Sequence, residues 1–218
     1  LPGAISVIAM SNKNDLFNAP ESYMEKISYP KGVDHNAIDL DFSLKKNLSN
    51  LADSKNKKFE SLRICVLDRP RHKKIIDEAK SLNIDVKLIS DGDVSGALLV
   101  TDEKYDIDLF LGIGGGPEGV LAASALDAYG CGFQGRFIFD TDALKKRASK
   151  MGINDFHKKY KLNEIVKGDS LFCATGITKG DLVNGLALKN NKIVANTLIT
   201  HKSQNMKKIV SGEVDIKK

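Results

Sequence analysis

Short apolar runs alternate with amphipathic stretches along most of the chain. Ala4 to Met10 predicts a strand, closed by a turn over Asn12 to Asp15. Phe17 to Ile27 is polar with a few anchors and leads into a second strand; Pro30 to Asn36 reads as loop. Leu44, Leu48 and Leu51 recur at helical spacing, so Ser43 to Ala52 predicts a helix with Ser43 as its cap. From residue 61 the pattern becomes a regular βα alternation. Strands are predicted at Leu62 to Leu67, Val86 to Ile89 and Ile107 to Leu111. Helices are predicted from Pro70 to Leu82, with Ile75, Ile76, Ala79 and Leu82 inward, and from the turn Asp91-Gly-Asp93 through Val100. Phe137 to Phe139 predicts a further strand, Asp142 to Lys161 a polar helical stretch, and Leu171 to Ala174 another strand. Leu182 to Leu188 and Lys192 to Thr200 predict a hairpin across Asn190-Asn191, with one more strand near Ile209. Short strands alternating with helices imply an α/β fold with parallel pairing and right-handed crossovers.

Composition narrows the classes. The chain has 218 residues, enough for one large domain or two small ones. Its net charge of +5 comes from scattered lysines and arginines, and aromatic residues make up only 6% and are not interleaved with basic ones, so nucleic-acid binding is unsupported. No apolar run reaches the roughly 20 residues that span a bilayer, and no signal peptide is visible. Cys65, Cys131 and Cys173 are widely spaced, odd in number and set in or near apolar runs. That is a reduced, cytoplasmic pattern of small core residues, with neither a disulfide framework nor a zinc site. The opening Leu1-Pro-Gly enters an apolar strand within three residues and has no initiator Met. It reads as the middle of a domain.

The densest chemistry lies in Asp108-Leu-Phe-Leu-Gly-Ile-Gly-Gly-Gly-Pro-Glu-Gly119. An apolar strand meets four glycines read as a turn, Gly112, Gly114, Gly115 and Gly116. A helix then starts with Pro117 in its first turn. Such a junction seats an anion on backbone N–H groups. Two readings compete with a purely structural glycine turn. Gly114-Gly-Gly-Pro-Glu-Gly119 matches the dinucleotide fingerprint, with Asp140 about 20 residues on. Yet Pro117 removes a donor, and Glu118 repels a pyrophosphate. A carboxylate beside a phosphate seat makes sense if a divalent cation lies between them.

Ligands bind beyond the carboxyl ends of strands in open α/β sheets. Four predicted strands end in loaded turns: Asp68-Arg-Pro-Arg-His72, Asp91-Gly-Asp93, the glycine turn with Glu118, and Thr175 to Lys179. Arg69 and Arg71 suit bidentate recognition of phosphate, and Asp91 and Asp93 can accept hydrogen bonds from sugar hydroxyls. His72, beside two arginines, is the one histidine placed to matter, by capping, packing or chemistry. Tyr23 reads as a core anchor more readily than as a hydroxyl offered to a ligand. No nucleophile elbow, H-E-x-x-H or Walker loop is present.

Five stretches together resemble the class II fructose-1,6-bisphosphatases of bacteria. They are Tyr23-Met-Glu-Lys26, Arg69-Pro-Arg-His72, Asp91-Gly-Asp-Val94, Gly112 to Ala123, and Ala174-Thr-Gly-Ile-Thr-Lys-Gly-Asp181. The resemblance implies a layered αβαβα sugar-phosphatase architecture, here mainly its C-terminal, mostly parallel sheet flanked by helices. Residues 1–60 would be the remainder of the N-terminal phosphatase subdomain and 61–218 the C-terminal sugar-phosphate-binding subdomain. It implies hydrolysis of the 1-phosphate of fructose 1,6-bisphosphate to fructose 6-phosphate, with Mn²⁺ or Mg²⁺, in gluconeogenesis. A homo-oligomer, dimer or tetramer, is implied as well. Carried over position by position, Glu118 is a catalytic and metal-binding carboxylate. Tyr23, Arg69, Pro70, Arg71, Asp91, Gly92, Asp93 and Gly115 are substrate contacts. The family's Asp-Pro-(Ile/Leu)-Glu-Gly-Thr loop and its other metal carboxylates match positions upstream of Leu1, so these 218 residues are expected to lack activity on their own. Alternatives are a phosphatase for sedoheptulose 1,7-bisphosphate or another sugar phosphate, and a non-catalytic sugar-phosphate-binding module.

Overall fold

Successive side chains of a strand point to opposite faces, and the central strands here are apolar on both. In the computed structural model, which describes residues 2–216, β3 (Arg63–Leu67) sends Ile64 and Val66 to one core and Cys65 and Leu67 to another. β2 (Tyr23–Tyr29) does the same with Ile27 and Tyr29 against Met24, and β5 (Leu109–Gly115) with Leu109 against Phe110. A sheet buried on both faces needs a layer on each side.

These strands belong to a six-stranded sheet of order β4-β3-β5-β2-β6-β7, completed by β4 (Asp85–Ile89), β6 (Gly132–Ile138) and β7 (Lys159–Lys161). Pairing is parallel for β4-β3 and β3-β5, but β2 runs antiparallel between β5 and β6, and β7 is antiparallel to β6. Uniform parallel pairing, the expectation from βα alternation, therefore holds for β3, β4 and β5 alone. The second sheet is antiparallel throughout: β1 (Ile5–Ser11), β8 (Ser170–Gly176), β10 (Lys192–His201) and β11 (Met206–Asp215) in that order, with β9 (Ala187–Lys189) on β10. The β9–β10 turn falls on Asn190 and Asn191, both at positive φ. That is the geometry the hairpin reading asked for.

One face of the six-stranded sheet carries α1 (Leu44–Lys55) and α2 (Lys73–Ser81), through Leu48, Leu51, Ile76 and Ala79. Ser43 caps α1 as expected, its side chain accepting from Lys46 N. The other face carries α3 (Asp93–Leu98) and α4 (Gly116–Tyr129). α4 touches strands of both sheets, so it is buried nearly all round. Its run Ala122, Ala123, Ser124, Ala125 keeps it thin, and Ser124 and Ser170 hydroxyls meet at 2.8 Å. The layers run helix, sheet, helix, sheet, in keeping with a sugar-phosphatase-like α/β fold.

The polar stretch 142–161 is not one helix. α5 (Asp142–Lys150) starts at its Thr141 cap and ends before Gly152, which sits at φ +85. β7 follows, and then the short α6 (Leu162–Ile165). Likewise the strand expected from Leu182 forms only from Ala187.

Candidate functional site

The parallel strands β3, β4 and β5 end on one edge, and their following segments meet there. β3 is continued by Asp68 and Arg69, then by a 3-10 turn at Pro70–His72 that begins with Pro70. β4 leads through Asp91 to Gly92, the residue preceding α3, whose φ of +84 suits glycine. β5 runs directly into α4.

The glycines correct the sequence reading. Gly112, Gly114 and Gly115 are not in a turn. They extend β5 and pair with Lys26, Met24 and Tyr23 of β2, and none has positive φ. What they supply is room. A Cβ on Gly114 would overlap the Asp93 carboxylate, one on Gly115 would overlap that of Glu118, and one on Gly112 would press on the His72 ring. The helix does begin at once after the glycines, with Pro117 in its first turn.

Into the space over Gly114 comes a buried ion pair. Lys26 is 1% exposed and donates to Asp93 Oδ2 in close contact. Burial lowers the Lys26 pKa, while Asp93 first and then Glu118 pull it back up. Removing one member of such a pair costs about 3–5 kcal/mol because the other is left charged and dry. An exposed pair such as Lys73–Asp77 is worth about 1 kcal/mol at most.

The guanidinium of Arg71 lies over the Tyr23 ring at 5.2 Å, and its Nε donates to Ile113 O at 2.9 Å. Tyr23 is 54% exposed, so it is a surface platform and not the core anchor that its sequence context favoured. Arg69 is half-buried, with Nη2 3.8 Å from Asp91 Oδ1, and Asp91 also accepts from Gly92 N. Pro70 is exposed at the head of its turn. Glu118 is exposed on the first turn of α4. It lines a cavity of about 330 Å³ with Asp91, Gly92, Asp93 and residues 2–5.

His72, which sequence left open between packing and chemistry, is fully buried. Nδ1 donates to Leu67 O at 2.8 Å, and Nε2 accepts from Ile113 N at 2.7 Å. Burial lowers its pKa, reinforced by Arg71 and Arg69. β3 pairs with β5 only as far as Phe110. Beyond that point His72 and Arg71 take over the ladder, one on the N–H and one on the C=O of Ile113.

The fourth loaded turn, Thr175 to Lys179, comes from the other sheet. It approaches the same region through the N-terminal residues, where Thr178 Oγ1 accepts from Ala4 N and Lys179 O from Gly3 N. A second cavity of about 520 Å³ joins Asp91 to Lys179.

The arrangement offers two arginines and an aromatic platform for a phosphate, and carboxylates for hydroxyl groups. The dinucleotide reading fails on topology: β6, which leads to Asp140, is separated from β5 by the antiparallel β2, and Glu118 occupies the space over Gly115. Burial pushes the thiol of Cys65 to about 12 and that of Cys131 to about 11 and also raises that of Cys173, so none of the three has the lowered pKa of an activated thiol. Among the described residues no group of three or more His, Cys, Asp or Glu side chains could hold a metal ion. Glu118 offers one ligand, and these residues alone do not fit a divalent cation. Nor is any described helix long and apolar enough to cross a membrane.

Residues 1–213 match the family described as bacterial fructose-1,6-bisphosphatase, glpX-encoded. A fructose-1,6-bisphosphatase class 2 of Haemophilus influenzae is 39% identical over 95% of this chain and 66% of its own length. Proteins of Synechocystis sp. and Trichodesmium erythraeum, each named D-fructose 1,6-bisphosphatase class 2/sedoheptulose 1,7-bisphosphatase, are 36% and 37% identical over 90% of this chain. The chain spans 61% of the length of each of these two.

Proposed function

The chain belongs to the bacterial, glpX-encoded fructose-1,6-bisphosphatase family, and from that premise we propose that it forms the sugar-phosphate-binding part of a metal-dependent fructose-1,6-bisphosphatase. The substrate is fructose 1,6-bisphosphate and the products are fructose 6-phosphate and phosphate, as in gluconeogenesis. The observation that carries this reading is one sheet edge where Arg71, its guanidinium 5.2 Å over the Tyr23 ring, follows β3, while Asp91 and Asp93 after β4 and Glu118 after β5 line one cavity.

In this reading Arg69 and Arg71 bind a phosphate, with Tyr23 as the floor beneath Arg71. Pro70 fixes the turn between the arginines. Asp91 and Asp93 accept hydrogen bonds from sugar hydroxyls, and Gly92 and Gly115 allow the backbone close approach. Glu118 is the catalytic carboxylate and contributes one ligand to Mn²⁺ or Mg²⁺, which would supply charge neutralisation at the phosphate when bound. Because the residues described do not complete a cation site, no hydrolytic step is assigned to them. The protein is proposed to act in the cytoplasm as a homo-oligomer.

The test is calorimetric titration of the 218-residue chain with fructose 1,6-bisphosphate, fructose 6-phosphate and inorganic phosphate. Tightest binding of the bisphosphate is expected, weakened by Arg71→Ala; no binding of any of the three would overturn the reading. The names of the cyanobacterial relatives favour a second substrate, sedoheptulose 1,7-bisphosphate, which belongs in the same titration.

A further inference from the structure

The Lys26–Asp93 pair calls for a reason beyond stability. Buried ion pairs seldom stabilise a fold more than apolar side chains of the same size would, and this one occupies space that a Cβ on Gly114 would fill. Such a Cβ would overlap Asp93 and lie 3.3 Å from Lys26 Nζ. One on Gly119 would overlap the Met24 sulfur and lie 3.2 Å from Lys26 Cε. Glycines in a strand and in a helix each carry an entropic cost of their own. The slot therefore places a cation beneath a carboxylate, and that carboxylate, 12% exposed, opens on the cavity shared with Asp91 and Glu118.

We propose that Lys26 is a positioning residue: it holds Asp93 as a charged, oriented acceptor for the hydroxyl groups of the ligand, so that recognition of the sugar, as distinct from its phosphates, depends on this lysine. The inference rests on the sugar-bisphosphate reading of the site and deepens it. An ammonium on Oδ2 restrains rotation of the carboxylate and keeps it from acting as a donor, and hydroxyl groups then find an acceptor already in place. The phosphates are left to Arg69 and Arg71, outside the slot.

Two bisphosphates separate these roles: fructose 1,6-bisphosphate and 1,6-hexanediol bisphosphate, which has two terminal phosphates and no hydroxyls. Both are titrated calorimetrically into the full 218-residue chain. The unaltered protein is expected to prefer the sugar. Lys26→Met is expected to weaken the sugar bisphosphate by about tenfold to a hundredfold, the span of a charge-assisted hydrogen bond, and to leave the hexanediol compound unchanged. Asp93→Asn, which keeps an oxygen for Lys26, decides the matter should Lys26→Met not fold, and is expected to give the same selective loss. The double variant is expected to bind no more weakly than the weaker single one. Equal weakening of both ligands, or of neither, would overturn the proposal, as would an unaltered protein that binds both alike. If the unaltered protein binds neither, the sugar-bisphosphate reading falls and takes this inference with it.

Discussion

His72 accepts the backbone N–H of Ile113 on Nε2 at 2.7 Å, and so stands where a neighbouring strand would. Its Nδ1–H is committed to Leu67 O, which fixes the tautomer and keeps the ring neutral. The ring joins the end of β3 to the glycine segment of β5, and Arg71 closes the other side of the same peptide.

Replacing His72 by Phe leaves the Ile113 N–H unpaired, while Leu67 O keeps the N–H of Arg69. The expected loss is about 1–3 kcal/mol, read as a lower urea midpoint at unchanged slope. The pH dependence has a defined sign. The folded-state pKa of His72 lies below its ordinary value of 6.5, so the unfolded chain takes up the proton first. Its contribution is fully present above about pH 6.5 and is lost as pH falls from there toward the folded value. Thermal melts between pH 7.5 and pH 5 should drop more steeply for the natural protein than for His72→Gln.

Gly114→Ala and Gly115→Ala are neighbours with different outcomes. The first drives a methyl into a buried, paired carboxylate and is expected to cost about 1–3 kcal/mol. The second meets the end of an exposed glutamate that can swing away, so its stability change should stay within about 0.5 kcal/mol. Denaturant titrations of both variants check the contrast.

Arg71→Lys keeps the charge but loses the fork and the guanidinium placed over the Tyr23 ring. Bisphosphate binding is expected to weaken by about tenfold or more. The unfolding free energy should fall by about 1 kcal/mol or less, because side chain and ring are both exposed. Calorimetry and a melt on the same sample separate the two.

With Mn²⁺ and fructose 1,6-bisphosphate, the 218-residue chain on its own is expected to release no phosphate above background. Glu118 is one ligand, and a hard divalent cation takes about six oxygens. A colorimetric phosphate assay decides; sustained metal-dependent turnover would show that these residues do complete a cation site.

Local patterns carried well from sequence to structure. Leu44, Leu48 and Leu51 mark the buried stripe of α1, and Ser43 is its cap. Arg69, Arg71, Asp91, Asp93 and Glu118 fall on one edge because the βα alternation orders three strand ends there. Non-local pairing did not carry. Nothing in Tyr23 to Tyr29 announces that this early strand lies between β5 and β6. Lys159-Tyr-Lys161 has a single buried side chain, Tyr160, too weak a period to separate strand from helix. Lys26 carries no signal of its own because a lysine in a strand ordinarily faces water, and its interior place depends on pairing with Asp93 in the space over Gly114. The glycines themselves signalled a bend where the structure needed space.

The pairing of β1 with β8 sets Ile5 opposite Gly176, and Tyr23 of β2 faces Ile138. A ribosome therefore delivers β1 long before β8, and β2 waits for β5 and β6. Loops of that size close slowly. Pairing of β1 with β8 cannot precede synthesis of most of the described chain, and Ile8 and Met10, half exposed even in the finished fold, lack β8 throughout that interval.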